Sequence, residues 1–143
     1  MSPGKRDLRK EFLKRIPEKE VVDEILQCAK ARRGLDLWKQ ATGGARFKKS
    51  FVTFGIPGQP DLTGVYYTPI GALRIDVECK RPIGGKWSDD QKSYARRVRK
   101  VNGIYILATS WKEVADVLDQ LDNRIKSFIV PTGKEKKCRR SSQ

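Results

Sequence analysis

The sequence predicts a mixed α/β domain, a small β-sheet packed between helices in the order α-β-β-β-α-β-α. Three observations predict it. Apolar residues recur at helical spacing in three stretches, β-prone runs lie between them, and 143 residues leave room for one domain. Hydrophobic residues make up 38% and charged residues 34%, so a modest core sits under a heavily ionic surface.

Residues 1–16 carry Lys5, Arg6, Arg9, Lys10, Lys14 and Arg15 against Asp7 and Glu11, and read as a basic arm or short frayed helix ending at Pro17. The domain proper spans residues 17–130. In PEKEVVDEILQCAKARR, Val21, Val22, Ile25, Leu26 and Ala29 fall on one helical face, with a proline early and acids ahead of bases. GLDLWKQATGGARF is less regular, and Gly43 and Gly44 mark a turn before a strand around 46–55. After GIPGQP, the runs DLTGVYY and ALRIDVECK form a hairpin about TPIG. In its second arm Leu73, Ile75, Val77 and Cys79 alternate with Arg74, Asp76, Glu78 and Lys80, giving one apolar and one polar face.

Ser88 reads as the N-cap of DDQKSYARRVRKV, with Tyr94, Val98 and Val101 turned to the core. NGIYILATS gives a short apolar strand, and SWKEVADVLDQLDNRIKSF a last amphipathic helix carrying Val114, Val117, Leu118 and Leu121. Residues 131–143 are expected to be a disordered basic tail.

Lys and Arg number 31 against 17 acids, a net charge of +14 that points to a polyanionic partner. There is no histidine, which excludes an imidazole general base and a His-containing zinc site. Cys28, Cys79 and Cys138 have neither CxxC spacing nor an even count, which fits a reducing cytosol. With no apolar signal region and no run near the ~20 residues of a membrane span, the expectation is a cytoplasmic protein that does not engage a membrane.

Chemistry concentrates at Asp61, preceded by Pro60, and at Glu78 and Lys80, separated by Cys79. Neighbouring strands lie ~4.8 Å apart, so a hairpin can bring the two carboxylates together, where they repel unless a hard cation such as Mg²⁺ stands between them. Lys80, on the same face as Glu78, is suited to orient the attacking water or to stabilise charge on a phosphoryl transition state. Asp76 on that face is expected to pair with Arg74 or Lys80. Lys92, Arg96, Arg97, Arg99 and Lys100 crowd the helix after the site, and Arg46, Lys48 and Lys49 form a second cluster, both suited to phosphate contacts. Trp38, which follows an amphipathic helix, is expected in the core, with stacking on a base as the alternative.

FGIPGQPDLTG, RIDVECK and GGKWSDDQKSYARRVRKVNGIYILATS together resemble the VRR-Nuc branch of the PD-(D/E)xK nucleases, its phage members most, over about residues 17–120. WKQATGGA also resembles the W-R and T-G-A run these small nucleases carry. The resemblance implies a restriction-endonuclease-like core and a Mg²⁺-dependent phosphodiesterase in which Mn²⁺ substitutes. Asp61 and Glu78 would be carboxylate ligands, the Cys79 carbonyl a further ligand, and Lys80 the catalytic lysine. Gln91 would be the family's helix glutamine, and Glu18, with Glu20 in reserve, its first-helix acid. Cys79 departs from the small or aliphatic residue usual between Glu and Lys, and behaves as a small hydrophobe.

The expected function is therefore endonucleolytic hydrolysis of DNA by a structure-selective, homodimeric junction or flap enzyme, acting in the host cytoplasm if phage-encoded. A sequence-specific homing endonuclease on the same core is the alternative within that class. A non-catalytic basic DNA-binding protein is the rival outside it. An RNA-binding role, suggested by charge alone, lacks the aromatic stacking motifs of the usual RNA modules.

Overall fold

The computed structural model describes residues 7–41 and 43–129. Four helices and six strands follow in the order α1 (Leu8–Arg15), α2 (Glu18–Ala29), β1 (Leu35–Lys39), β2 (Gly43–Phe47), β3 (Ser50–Phe54), β4 (Leu62–Thr68), β5 (Gly71–Cys79), α3 (Asp89–Lys100), β6 (Ile104–Ala108) and α4 (Trp111–Ile129). The central sheet has the order β1-β4-β5-β6, with β6 parallel to β5 and the other pairs antiparallel. The parallel step needs a crossover, and α3 supplies it.

The two faces of this sheet are covered differently. On one, Leu62, Tyr66, Ile75, Val77, Cys79, Ile106 and Ala108 pack against Val21, Val22 and Ile25 of α2 and Val114 and Leu118 of α4. Burying such side chains contributes about 1.5–3 kcal/mol each and makes this layer the main core. On the other, a smaller cluster joins Tyr94, Ala95 and Val98 of α3 to Tyr105 of β6, with Trp87 beside it.

The structure bears out the helices expected at 88–101 and 110–128, the DLTGVYY–ALRIDVECK hairpin and the apolar strand after Gly103, while the helix expected at 17–33 is present but stops at Ala29. Counting only the central sheet, α2-β1-β4-β5-α3-β6-α4 reproduces the expected order, yet its first strand is a different one. The strand expected at 46–55 is instead a separate hairpin of β2 and β3, turned at Lys48, whose φ is 50°. Gly43 and Gly44, read as a turn, lie within β2, and the irregular stretch before them holds β1. Val101, expected inside, caps α3 and is exposed, and Val117 lies at the margin of the core. Within the N-terminal arm, α1 buries no residue and ends before Pro17. Residues 1–6 of the arm and the basic tail from 131 lie outside the described residues.

Candidate active site

Register builds the site. Leu62 pairs with Val77 and Thr63 with Asp76, so one step further Asp61 stands across from Glu78 on the same face, about 5 Å away. The Asp61 side chain is fixed there, its Oδ2 accepting the Cys79 main-chain N–H at 2.8 Å. The loop leading into it is held tightly. Pro60 is buried, and Gly58 has a φ of +77° with its backbone so near α3 that an added Cβ would lie 2.2 Å from the Asp90 carbonyl oxygen. Only glycine meets both demands.

Glu78 is 2% exposed. Its Oε1 accepts from Lys80 Nζ at 2.7 Å and from Gln91 Nε2. Burial pushes the Glu78 carboxyl up to about 7 against the lowering effect of Lys80, with Asp61 and Glu18 adding negative charge that pushes the same way. Burial works to lower the Lys80 ammonium, but its hydrogen bond to Glu78 and the charges of Glu78, Glu18 and Asp61 prevail and raise it. Lys80 therefore stays a cation, and its side chain is 13% exposed.

Gln91 joins helix to site. Ser88 caps α3 by accepting from Gln91 N at 3.2 Å, while Gln91 Oε1 accepts from Ser88 N at 2.9 Å, a reciprocal capping box. The other end of the same amide grips Glu78. The Ser-x-x-Gln spacing was readable as a helix start; the double use of the amide needed the register of β5 against α3.

Of the two first-helix acids, Glu18 is half-buried and its charge acts on Glu78, Cys79 and Lys80, whereas Glu20 is exposed. Asp76 is fully buried and paired with Arg74 at 2.9 Å, the expected partner, and also accepts from Thr63 Oγ1 at 2.5 Å. Cys79 is buried and unbridged, and burial pushes its thiol far up, so it is inert as a nucleophile. Trp38 corrects the reading: it is 47% exposed, because α3 covers only the β5–β6 half of this face. The polar face of β5 is likewise buried rather than solvated, with every residue from Ile75 to Cys79 inside.

Arg96, Arg97, Arg99 and Lys100 are exposed on α3, Arg96 and Lys100 away from Tyr94, Ala95 and Val98 and Arg97 and Arg99 at the flanks of that packed face. Arg99 also lies over the Tyr105 ring and donates to its carbonyl at 3.2 Å. Lys92 is half-buried and 3.6 Å from Asp89. Arg46, Lys48 and Lys49 are exposed at the tip of the β2–β3 hairpin.

Sequence reasoning missed a second polar network at the far end of the sheet. Arg32 meets Asp119 at 2.8 Å and Asp122 at 3.1 Å, and Tyr66 donates to Asp122 at 2.8 Å beside a cavity of about 850 Å³. Arg32 and Tyr66 are far apart in the chain, so no local motif announces them. Its lining holds Arg33 and Lys126 as well as Arg32, against Asp122, so cations prevail there, whereas at the other site Asp61, Glu78 and Glu18 outnumber Lys80. The Asp61–Glu78 end is therefore the candidate for a cation site. On the Asp61–Glu78 side of the sheet, burial pushes the Tyr105 phenol up to about 12 against the lowering effect of Trp87 beside it.

The donor chemistry at Asp61 and Glu78 fits a hard divalent cation: two carboxylates, a nearby main-chain carbonyl at Cys79 and no imidazole. Among the described residues no group of three or more His, Cys, Asp or Glu side chains converges on one point. A cation held here would thus complete its shell with carbonyl, water and phosphate oxygens, the habit of Mg²⁺. No described helix is long and apolar enough to cross a membrane. Compared with family models, curated proteins and solved structures, the chain matches none.

Proposed function

We propose that the protein is a Mg²⁺-dependent DNA endonuclease on a restriction-endonuclease-like core, selective for junction or flap DNA and acting as a homodimer. The observation that carries this reading is the meeting of Asp61, Glu78, Lys80 and Gln91 on one sheet face in a chain of net charge +14. Asp61, Glu78 and the Cys79 carbonyl would hold the cation, which supplies a Lewis acid for the phosphate and a lowered pKa for water. Gln91 keeps the Glu78 carboxylate in one orientation, and α3, fixed by its capping box, keeps Gln91 in place. Lys80 brings a permanent positive charge to the point where the attacked phosphoryl group gains negative charge. Arg96, Arg97 and Lys100, exposed along α3, suit contacts to flanking phosphates, which position a duplex without reading its sequence.

One observation favours the rival, a non-catalytic DNA-binding protein: Glu78 is already satisfied by Lys80 and Gln91 without a cation. Cleavage of end-labelled linear duplex, flap and four-way junction DNA in Mg²⁺, Mn²⁺ and EDTA separates the two, with Asp61→Ala and Lys80→Ala alongside. The nuclease reading expects cation-dependent cuts by the wild type that both variants lose. Binding by all three proteins with no cleavage in any ion overturns it. Discrete products from one duplex locus would replace the branched-DNA assignment by a homing enzyme, and sedimentation of monomers only, free and on DNA, would remove the dimer.

A further inference from the structure

The half of the site face that α3 leaves bare has its own chemistry. Register lays Trp38, Thr63, Asp76 and Tyr105 in one row across β1, β4, β5 and β6. The next row on that face holds Gln40, Asp61 and Glu78, the Gln40 N–H donating to the Asp61 carbonyl at 2.9 Å. The Trp38 row therefore lies about 7 Å along the strands from the carboxylates. Trp38, Gln40, Thr63 and Arg74 line a shallow cavity of about 400 Å³, and Arg74 continues into a second of about 260 Å³ with Tyr94 and Arg97. Arg74 is common to both, so the two adjoin at its side chain and make a trough, divided by that arginine, from the indole to the flank of α3.

Three features of this trough suit a nucleotide. The indole offers an apolar face to solvent at 47% exposure. Arg74, half exposed, is held by Asp76 at 2.9 Å and the Tyr94 hydroxyl at 2.7 Å, which fixes its guanidinium beside exposed Arg97. Gln40, in the trough's lining, has a buried Oε1 with no hydrogen-bond partner among the described residues, an acceptor that a donor would meet once the amide turns outward. An aromatic platform beside cationic groups is how single strands are held, because every base has a face to stack while phosphates seek the positive charge. Inside a duplex both faces of a base are already stacked, so only an unpaired base can use the indole.

We propose that this trough binds an unpaired nucleotide of the DNA, its base on Trp38 and its phosphate on Arg74 and Arg97, one row from the Asp61–Glu78 pair. The inference deepens the nuclease reading and rests on it for the strand's purpose there. It gives that site a substrate with a single-stranded segment, such as a flap or an opened branch point. Uninterrupted duplex would engage the basic surface alone.

The test is binding in EDTA, where cleavage plays no part, of a single strand, a flap and a perfect duplex of equal length, by fluorescence anisotropy. Trp38→Ala should weaken single-strand and flap binding roughly tenfold to a hundredfold. It should leave duplex binding within about twofold, and Trp38→Phe should keep most of the affinity. Equal weakening on all three DNAs, or none, overturns the proposal; so does Trp38→Ala dissociating a dimer without changing DNA affinity, since a second copy then covers the indole. Tighter, Trp38-dependent binding of single-stranded RNA than of DNA overturns the choice of DNA. Failure of the nuclease reading has a different signature: no cleavage in Mg²⁺ beside intact Trp38-dependent binding.

Discussion

Glu78→Gln turns the burial of one carboxylate into a measurable pH dependence. Burial, opposed by Lys80 and reinforced by Asp61 and Glu18, lifts this carboxyl from its ordinary 4.5 to about 7. Between those values the folded chain keeps a proton that the unfolded chain has released. The stability owed to Glu78 is therefore full below pH 4.5 and is lost as pH rises through 7. At about 1.4 kcal/mol for each tenfold change, the loss totals about 3 kcal/mol. Glutamine preserves the shape and has no proton to lose. Lys80, left without its partner, adds a cost, but Glu18 and Asp61 still act to keep it charged across this window, so that cost is a constant offset. Urea unfolding of both proteins in EDTA from pH 4 to pH 8 should thus give a stability difference, variant minus wild type, that grows by about 3 kcal/mol. A difference flat from pH 5 to pH 8 would mean that Glu78 is ionised throughout, and one that shrinks would reverse the sign; either refutes the electrostatic account of the site.

Four further outcomes follow from the same geometry. Millimolar Mg²⁺ at pH 8 should raise the melting temperature of the wild type, about 2.7 kcal/mol when the ion is at a hundred times its Kd, and should raise that of Asp61→Asn little; equal shifts in both would place the ion elsewhere. Ser88→Ala should cost about 1 kcal/mol in thermal unfolding and reduce cleavage as well, because it frees Gln91, while Ser88→Asp should restore the stability. Gly58→Ala, with its Cβ driven into the Asp90 carbonyl at positive φ, should cost more than Gly71→Ala, whose Cβ meets nothing within 4 Å; equal melting temperatures would refute the close packing. Asp61→Asn/Glu78→Gln should bind DNA several-fold more tightly than the wild type in EDTA, read by anisotropy, and unchanged or weaker binding would count against the acids facing the backbone.

Residue pattern made some of this legible and tertiary coverage hid the rest. Alternation along Leu73–Lys80 correctly put Glu78 and Lys80 on one face and Asp76 beside Arg74, because period two is a property of the strand itself. It could not say that α3 would bury that face, since Tyr94, Ala95 and Val98 reach it only after the chain has crossed over. The same partial coverage misled the reading of Trp38, whose exposure depends on where α3 stops rather than on any neighbour in sequence. Lys48 shows a third kind of blindness: a lysine at φ 50° turns β2 into β3, and no glycine or asparagine marked that turn.

The charge distribution ties the site to its surroundings. Exposed basic residues gather on α3, with Arg96, Arg97 and Lys100, and on the hairpin, with Lys48 and Lys49, where they would suit a polyanion. The site itself is the reverse, with Asp61, Glu78 and Glu18 against Lys80, and without a cation it would repel a phosphate brought to it. A divalent ion removes that repulsion, and a bound phosphate in turn offers the ion further oxygen ligands. Linkage then requires each to strengthen the other by the same factor. Neutralising the two carboxylates by mutation relieves the repulsion without the ion, which is why the double variant should hold DNA more tightly in EDTA while losing the means to cut it. The double variant would also lose the Glu78–Lys80 ion pair, so its stability has to be read beside its affinity; tighter binding in EDTA despite that loss is what the proposed cation site expects of two acids amid basic residues.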